Sequence, residues 1–116
     1  MRGLRAGGPN PWEVWWANLD PARGREQRGR RPVIVIGSAL ACSLPSALAI
    51  VIPTTTTPFA VPYRVEVSLD AVRTSYALCE QIKSIAVERL EAQHACRTIP
   101  GPERLAVQFA VQQMLF

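Results

Sequence analysis

Ten consecutive residues, Arg23-Gly24-Arg25-Glu26-Gln27-Arg28-Gly29-Arg30-Arg31-Pro32, carry five arginines, two glycines and one carboxylate, and run straight into the apolar Val33-Ile34-Val35-Ile36. Such a segment reads as a mobile cationic loop, too charged to pack and suited to grip phosphates through the planar forks of its guanidinium groups. Further on, Thr54-Thr55-Thr56-Thr57 offers a run of hydroxyls. Arginine, a carboxylate and hydroxyls suit one reaction in particular, cleavage of RNA by its own 2′-hydroxyl. The nucleophile is then part of the substrate and needs only positioning, while guanidinium and hydroxyl donors stabilise the charge that builds on phosphorus oxygens. On composition alone, a surface that merely binds nucleic acid is the plainer reading.

Other chemistries lack their parts. His94 is the single histidine, so one chain supplies no two-histidine acid/base pair. In its polar setting after Glu91-Ala92-Gln93 it reads as a surface residue. No cluster of histidine, cysteine and carboxylate has metal-ligand spacing, and the phosphate-binding glycine loop and the Gly-x-Ser-x-Gly elbow are both absent. No metal or cofactor is expected. Cys42, Cys79 and Cys96 are too few and too scattered for a disulfide framework, which points to a reducing compartment, and Cys79 reads as core packing.

The charge is unevenly distributed. Of a net +4 over 116 residues, the whole excess falls within residues 1–31, and residues 32–116 are neutral. Twelve of the thirteen basic side chains are arginine. A basic patch on a neutral body points to a polyanionic partner.

The length suits one domain with one modest core. Met1–Pro11, rich in Gly, Pro and Arg, reads as a flexible tail and not a signal peptide, and no segment has the length of a membrane span. The expectation is a soluble, cytoplasmic protein whose folded domain covers residues 12–116. Strands are predicted at 12–19, at 33–36 buried on both faces, at 47–52 stopped by Pro53, at 63–67 by strict alternation, and at 75–78 and 81–85 as two strands or one bent one. Residues 84–90 read alternatively as the start of a helical turn. Ser38–Ser46 is expected to be a loop. Gly101-Pro102-Glu103 opens a C-terminal helix carrying Val107, Ala110, Val111 and Met114 at helical spacing. The fold class is mainly β with a C-terminal helix, a small antiparallel barrel.

Several blocks in order resemble the motifs of the MazF/PemK (Kid) toxins of bacterial toxin–antitoxin systems. They are Glu13-Val14-Trp15, Asp20-Pro21, Arg23-Gly24-x-Glu26-Gln27-x-x-x-Arg31-Pro32-Val33, Val51-Ile52-Pro53-x-Thr55-Thr56 and Leu78-Cys79-Glu80-Gln81-Ile82-Lys83-Ser84-Ile85. The resemblance implies a homodimeric SH3-like barrel acting as a metal-independent, sequence-selective endoribonuclease on single-stranded RNA, silenced by a MazE-like antitoxin. Carried over by motif, Arg31 and Thr55 are the catalytic pair and Glu26 supports them as orienting group or base. Arg23, Arg25, Gln27, Arg28, Arg30 and Thr56 would hold RNA, and Gln81 would support the fold or the dimer. Arg25, Arg28 and Arg30 add charge where the family favours small residues, which suggests more backbone contacts and a structured target such as a tRNA or rRNA loop. The alternatives are a gyrase poison resembling CcdB and a noncatalytic RNA-binding barrel. If the internal hydroxyl is the nucleophile, an RNA oligomer with a single 2′-deoxy substitution at the cut position is expected to stay intact on a denaturing gel while its all-ribo counterpart is severed.

Overall fold

In a computed structural model, residues 9–38, 41, 42, 45, 47–58 and 63–116 are described. Seven strands, β1 (Glu13–Asn18), β2 (Arg30–Val35), β3 (Leu48–Thr55), β4 (Arg64–Val67), β5 (Ser75–Leu78), β6 (Lys83–Ala86) and β7 (Leu90–Thr98), precede one long helix, α1 (Gly101–Leu115). The sheet runs β4-β5-β3-β2-β1-β7, with β6 also on β3, and every pairing is antiparallel. The expected class holds, but the sheet is not a closed barrel: among the described residues no ladder joins β4 to β7.

β3 is the central strand. One edge pairs with β2, while the other pairs first with β6 through Leu48 to Val51 and then with β5 through Thr54 and Thr55. β5 and β6 are thus two strands on the same edge of β3, separated by the three-residue 3-10 turn Cys79–Gln81, the first of the two readings of that stretch. The strand expected to stop at Pro53 continues through it. Proline donates no hydrogen bond, and Pro53 stands where β3 changes partner between β6 and β5, so no donor is required on that edge.

β2 begins earlier than its apolar run. Arg30, Arg31 and Pro32 pair with Asn18, Ala17 and Trp16 of β1, so the end of the arginine segment is strand and not loop. The remainder is cross-tied, with the Leu19 N–H on the Gly29 carbonyl at 3.0 Å and the Gly29 N–H on Asp20 Oδ1 at 3.1 Å. Gly29 makes the turn at φ +81°, a conformation that side chains disfavour. Arg89 holds the same end of β1 through the Asn18 and Asp20 carbonyls.

Alternation sorts the apolar residues onto two faces. Val14, Ile34, Ile52 and Ile99 form one core, with Cys79 buried among them and Val107 and Ala110 of α1 closing it. Burial, with Glu80 beside it, pushes the Cys79 thiol up to about 12, consistent with packing and not reactivity. Ala17, Leu19, Val33, Val35 and Val51 form the second core on the opposite face. Val33, Ile34 and Val35 are buried in succession, as a strand covered on both faces requires. Pro102 lies in the first turn of α1, whose Val111 is half-buried; Leu105, Phe109 and Met114 are exposed.

Two segments differ further. Residues 84–90 continue β6 and then make the 3-10 turn Val87–Arg89. β7, the longest strand, gave little sequence signal because only Leu90 and His94 of its nine residues are buried. Of the expected tail, residues 1–8 lie outside the described residues, whereas Pro9 is buried and the Asn10 N–H donates to Glu13 Oε1 at 2.9 Å. The expected loop at 38–46 is described only in part, with a helical turn at Ala41 and Cys42 begun by Ser38. No helix among the described residues is long and apolar enough to cross a membrane. Replacing Ile52, fully buried in β3, by alanine is expected to lower the unfolding free energy by about 2–5 kcal/mol. Val72→Ala at a 90% exposed position should change it by less than about 0.5 kcal/mol, both read from denaturant midpoints.

Candidate active site

The β2–β3 ladder pairs Val33 with Pro53 and Val35 with Val51. Carried two residues further, the same register sets Arg31 opposite Thr55, and opposed residues of an antiparallel pair share a face. Both line one cleft of about 260 Å³, together with Arg30, Thr54, Thr56 and residues from the β4–β5 connection and β7. The sequence motifs that hold these residues are far apart in the chain, and the ladder is what brings them together.

Arg31 is held on three sides. Its Nε donates to the Arg28 carbonyl at 2.8 Å and its Nη1 to the Thr54 carbonyl at 3.2 Å. With the Gln27 amide turned so that its oxygen faces the guanidinium, the orientation that satisfies both groups, it accepts from Nη1 and Nη2 at 2.5 and 3.0 Å. Gln27 is in turn fixed by its N–H, which donates to Gln81 Oε1 at 2.7 Å. Gln81 therefore supports the guanidinium at one remove. Burial lowers the Arg31 pKa from its usual value, yet a guanidinium stays charged at neutral pH. Thr55 is 9% exposed, and its hydroxyl oxygen accepts from the Thr57 N–H at 3.2 Å. Its O–H meets no acceptor among the described residues and is left to donate into the cleft. The neighbouring Thr54 hydroxyl is committed to the Pro32 carbonyl at 2.7 Å.

The remaining loop residues lie elsewhere. Arg23, Arg25, Glu26 and Gln27 line a second groove of about 580 Å³ with Arg64, Glu80 and Gln81. Glu26 Oε1 accepts from the Arg23 N–H at 2.6 Å, and the Glu26 N–H donates to the Arg23 carbonyl at 3.1 Å, so this carboxylate closes its own turn. It does not line the cleft of Arg31 and Thr55; Gln27 joins the two sites. Arg28 reaches the Ala22 carbonyl at 3.2 Å. Arg30 pairs with Glu91 at 2.7 Å and lies 4.6 Å over the ring of Trp16.

His94 is corrected from a surface position to a buried one, at 8% exposure, with its ring 5.2 Å from that of Trp16. The polar spelling of β7 hid this, and the register shift between Leu90 and Ala92 breaks the alternation that could have shown it. Its Nδ1 accepts the Cys96 N–H at 3.0 Å, which requires the neutral tautomer with the proton on Nε2. Asp70, Arg73 and Ser75, which no sequence motif singled out, line the same cleft.

The fold is shared with MazF from Deinococcus radiodurans, to which 93% of this chain and 96% of that one align at 22% identity and a TM-score of 0.80. A mycobacterial endoribonuclease solved in complex with its cognate antitoxin aligns over 92% of this chain and 94% of its own at 17% identity and a TM-score of 0.74. Residues 10–115 match the model of the PemK-like, MazF-like toxins of type II toxin–antitoxin systems, and the chain belongs to that family. A curated relative, endoribonuclease MazF9 of Mycobacterium tuberculosis, is 39% identical over 87 residues, covering 67% of this chain and 73% of the relative.

Burial lowers the His94 pKa below 6.5, an effect only partly offset by Asp70. The folded chain therefore resists a proton that the unfolded chain accepts, so this residue makes stability fall as the pH drops below about 6.5. Asp70 titrates in a lower window, since backbone hydrogen bonds from Arg73 and Val72 depress its carboxyl below 3.8. Urea midpoints compared between about pH 7.5 and pH 5 are expected to fall less in His94→Gln than in the parent.

Proposed function

We propose that this chain is the toxin of a type II toxin–antitoxin pair and an endoribonuclease in which Arg31 and Thr55 are the catalytic pair. In this reaction the 2′-oxygen attacks the adjacent phosphorus and gives up its proton to a base. As the bond from phosphorus to the 5′ oxygen breaks, that oxygen takes up a proton, leaving a cyclic phosphate and a free 5′-hydroxyl. Arg31, always cationic, stabilises charge on the non-bridging oxygens, and Thr55 donates a hydrogen bond to one of them. The observation that carries this reading is the cross-strand placement of a triply anchored guanidinium beside a hydroxyl whose proton is uncommitted. Donors fixed before the substrate arrives need no reorganisation in the transition state.

Around this pair, Thr56 and Arg30 extend the cleft, while Arg23, Arg25, Gln27 and Arg28 lead the RNA backbone along the adjoining groove. Glu26 shapes the turn that delivers Gln27 to Arg31. The chain works in the cytoplasm as a homodimer, for which the exposed Leu105 and Phe109 on the outer side of α1 supply apolar surface, and a MazE-like antitoxin silences it. Single-stranded RNA is the substrate, in messenger or in tRNA or rRNA loops. Family membership sets aside the gyrase-poison alternative.

Arg31→Ala is expected to reduce cleavage by about 10²–10³-fold. Thr55→Val, which keeps the shape and removes the hydroxyl, should give a loss of the same order, both followed on a labelled RNA in excess chelator. RNA that is retained but never broken by the parent chain would make it a binder and sink the catalytic reading.

A further inference from the structure

The cleft of Arg31 and Thr55 has a second side, built by β7 and the connection between β4 and β5, that the reaction above does not use. His94 contributes from β7 and Asp70 from the connection. Each is fixed by the protein with one hydrogen-bonding atom left over. His94 has Nδ1 occupied by the Cys96 N–H at 3.0 Å, which leaves an Nε2–H donor that no described residue accepts. Trp16 stacks against its ring and is itself covered by Arg30 on a cation–π contact of 4.6 Å, so the imidazole cannot turn freely. Asp70 uses Oδ1 twice, accepting from the Val72 and Arg73 N–H groups at 2.8 Å each, while Oδ2 accepts nothing among the described residues. The connection is also moored at its start, where the Ser68 N–H and hydroxyl donate to the two oxygens of Glu103 at 2.9 and 2.7 Å.

We propose that this side of the cleft is a nucleobase subsite, in which His94 Nε2–H donates to the base and Asp70 Oδ2 accepts from it, selecting the nucleotide that flanks the scissile phosphate. The chemistry argues for a base and against the RNA backbone. A phosphate offers only acceptors and would be repelled by a carboxylate, whereas the Watson–Crick edge of every base presents a donor next to an acceptor. The volume, about 260 Å³, is below the range of pockets for drug-sized ligands and suits one base. Stacking does not supply the selectivity, because Trp16 lies between Arg30 and His94. Both partners are set before the ligand arrives; a base that offers His94 no acceptor leaves its buried donor unpaired, while the exposed Asp70 carboxylate discriminates by repelling a facing acceptor. Arg73, on the same cleft, offsets part of the Asp70 charge.

This subsite rests on the nuclease reading for its neighbouring phosphate, and the test separates the two. RNA oligomers made uncleavable by a 2′-deoxy group at the cut position, varied base by base on either side, are titrated against the parent, His94→Leu, His94→Gln and Asp70→Asn. The same set with all-ribo sugars is assayed for cleavage. Asparagine retains an oxygen for the Val72 and Arg73 N–H groups but presents an NH₂ in place of Oδ2. The expected result is a base preference at one flanking position that His94→Leu weakens by roughly ten- to a hundredfold, that His94→Gln partly retains through its own donor, and that Asp70→Asn redirects to a different base. Preference at other positions should be unchanged, and thermal melting confirms folding of each variant. A parent that binds with this preference yet cuts nothing removes the nuclease reading and leaves the subsite standing. The subsite is overturned if folded His94→Leu and Asp70→Asn show the parental preference at every position, or if the parent shows none.

Discussion

The pairing of β2 with β3 is the constraint from which the site follows. Because side chains alternate across a strand, slipping this ladder by one residue would turn Val33 and Val35 out of one core and Ile34 out of the other. With β2 buried on both faces, neither face tolerates the exchange. The same register that satisfies the apolar residues sets Arg31 across from Thr55 at the polar end of the strands. As the proposed catalytic pair, Arg31 and Thr55 take their positional accuracy from core packing and need not provide it themselves.

The arginines illustrate how a cationic segment is divided once it folds. Read in one dimension, the five arginines between residues 23 and 31 look interchangeable. In the structure, Arg31 is partly desolvated and anchored by the Arg28 and Thr54 carbonyls and the Gln27 amide. Arg30 is engaged by Glu91 and Trp16, and Arg23 and Arg25 face a separate groove. Strand alternation starts the Arg30 and Arg31 side chains toward opposite faces, so although both reach the cleft at the strand end they meet different partners. An anchored guanidinium presents a directed hydrogen bond, while an exposed one contributes mainly a screened field.

A chain of amides connects the two grooves. Gln81, in the bend between β5 and β6, holds Gln27, and Gln27 holds Arg31. The bend exists because β3 exchanges partners at Pro53, so the residue that cannot donate a hydrogen bond also marks where Gln81 is brought to the loop. Motifs separated along the chain are in this way parts of one network.

By itself the sequence determined the class of fold, the C-terminal helix and most of the apolar strands, and pointed to Arg31 and Thr55 as the proposed pair, because period-two burial, proline and glycine punctuation and family motifs are all local signals. It did not reveal β7, whose exposed positions dilute its alternation, nor the extension of β2 into the arginines, since charged side chains mask a backbone that pairs well. The burial of His94, its company with Asp70, and the separation of Glu26 from Arg31 were decided only by tertiary structure. Each depends on which distant strand or turn comes to lie beside the residue, and long-range pairing is set by the closing of two cores at once and not by any neighbouring residue.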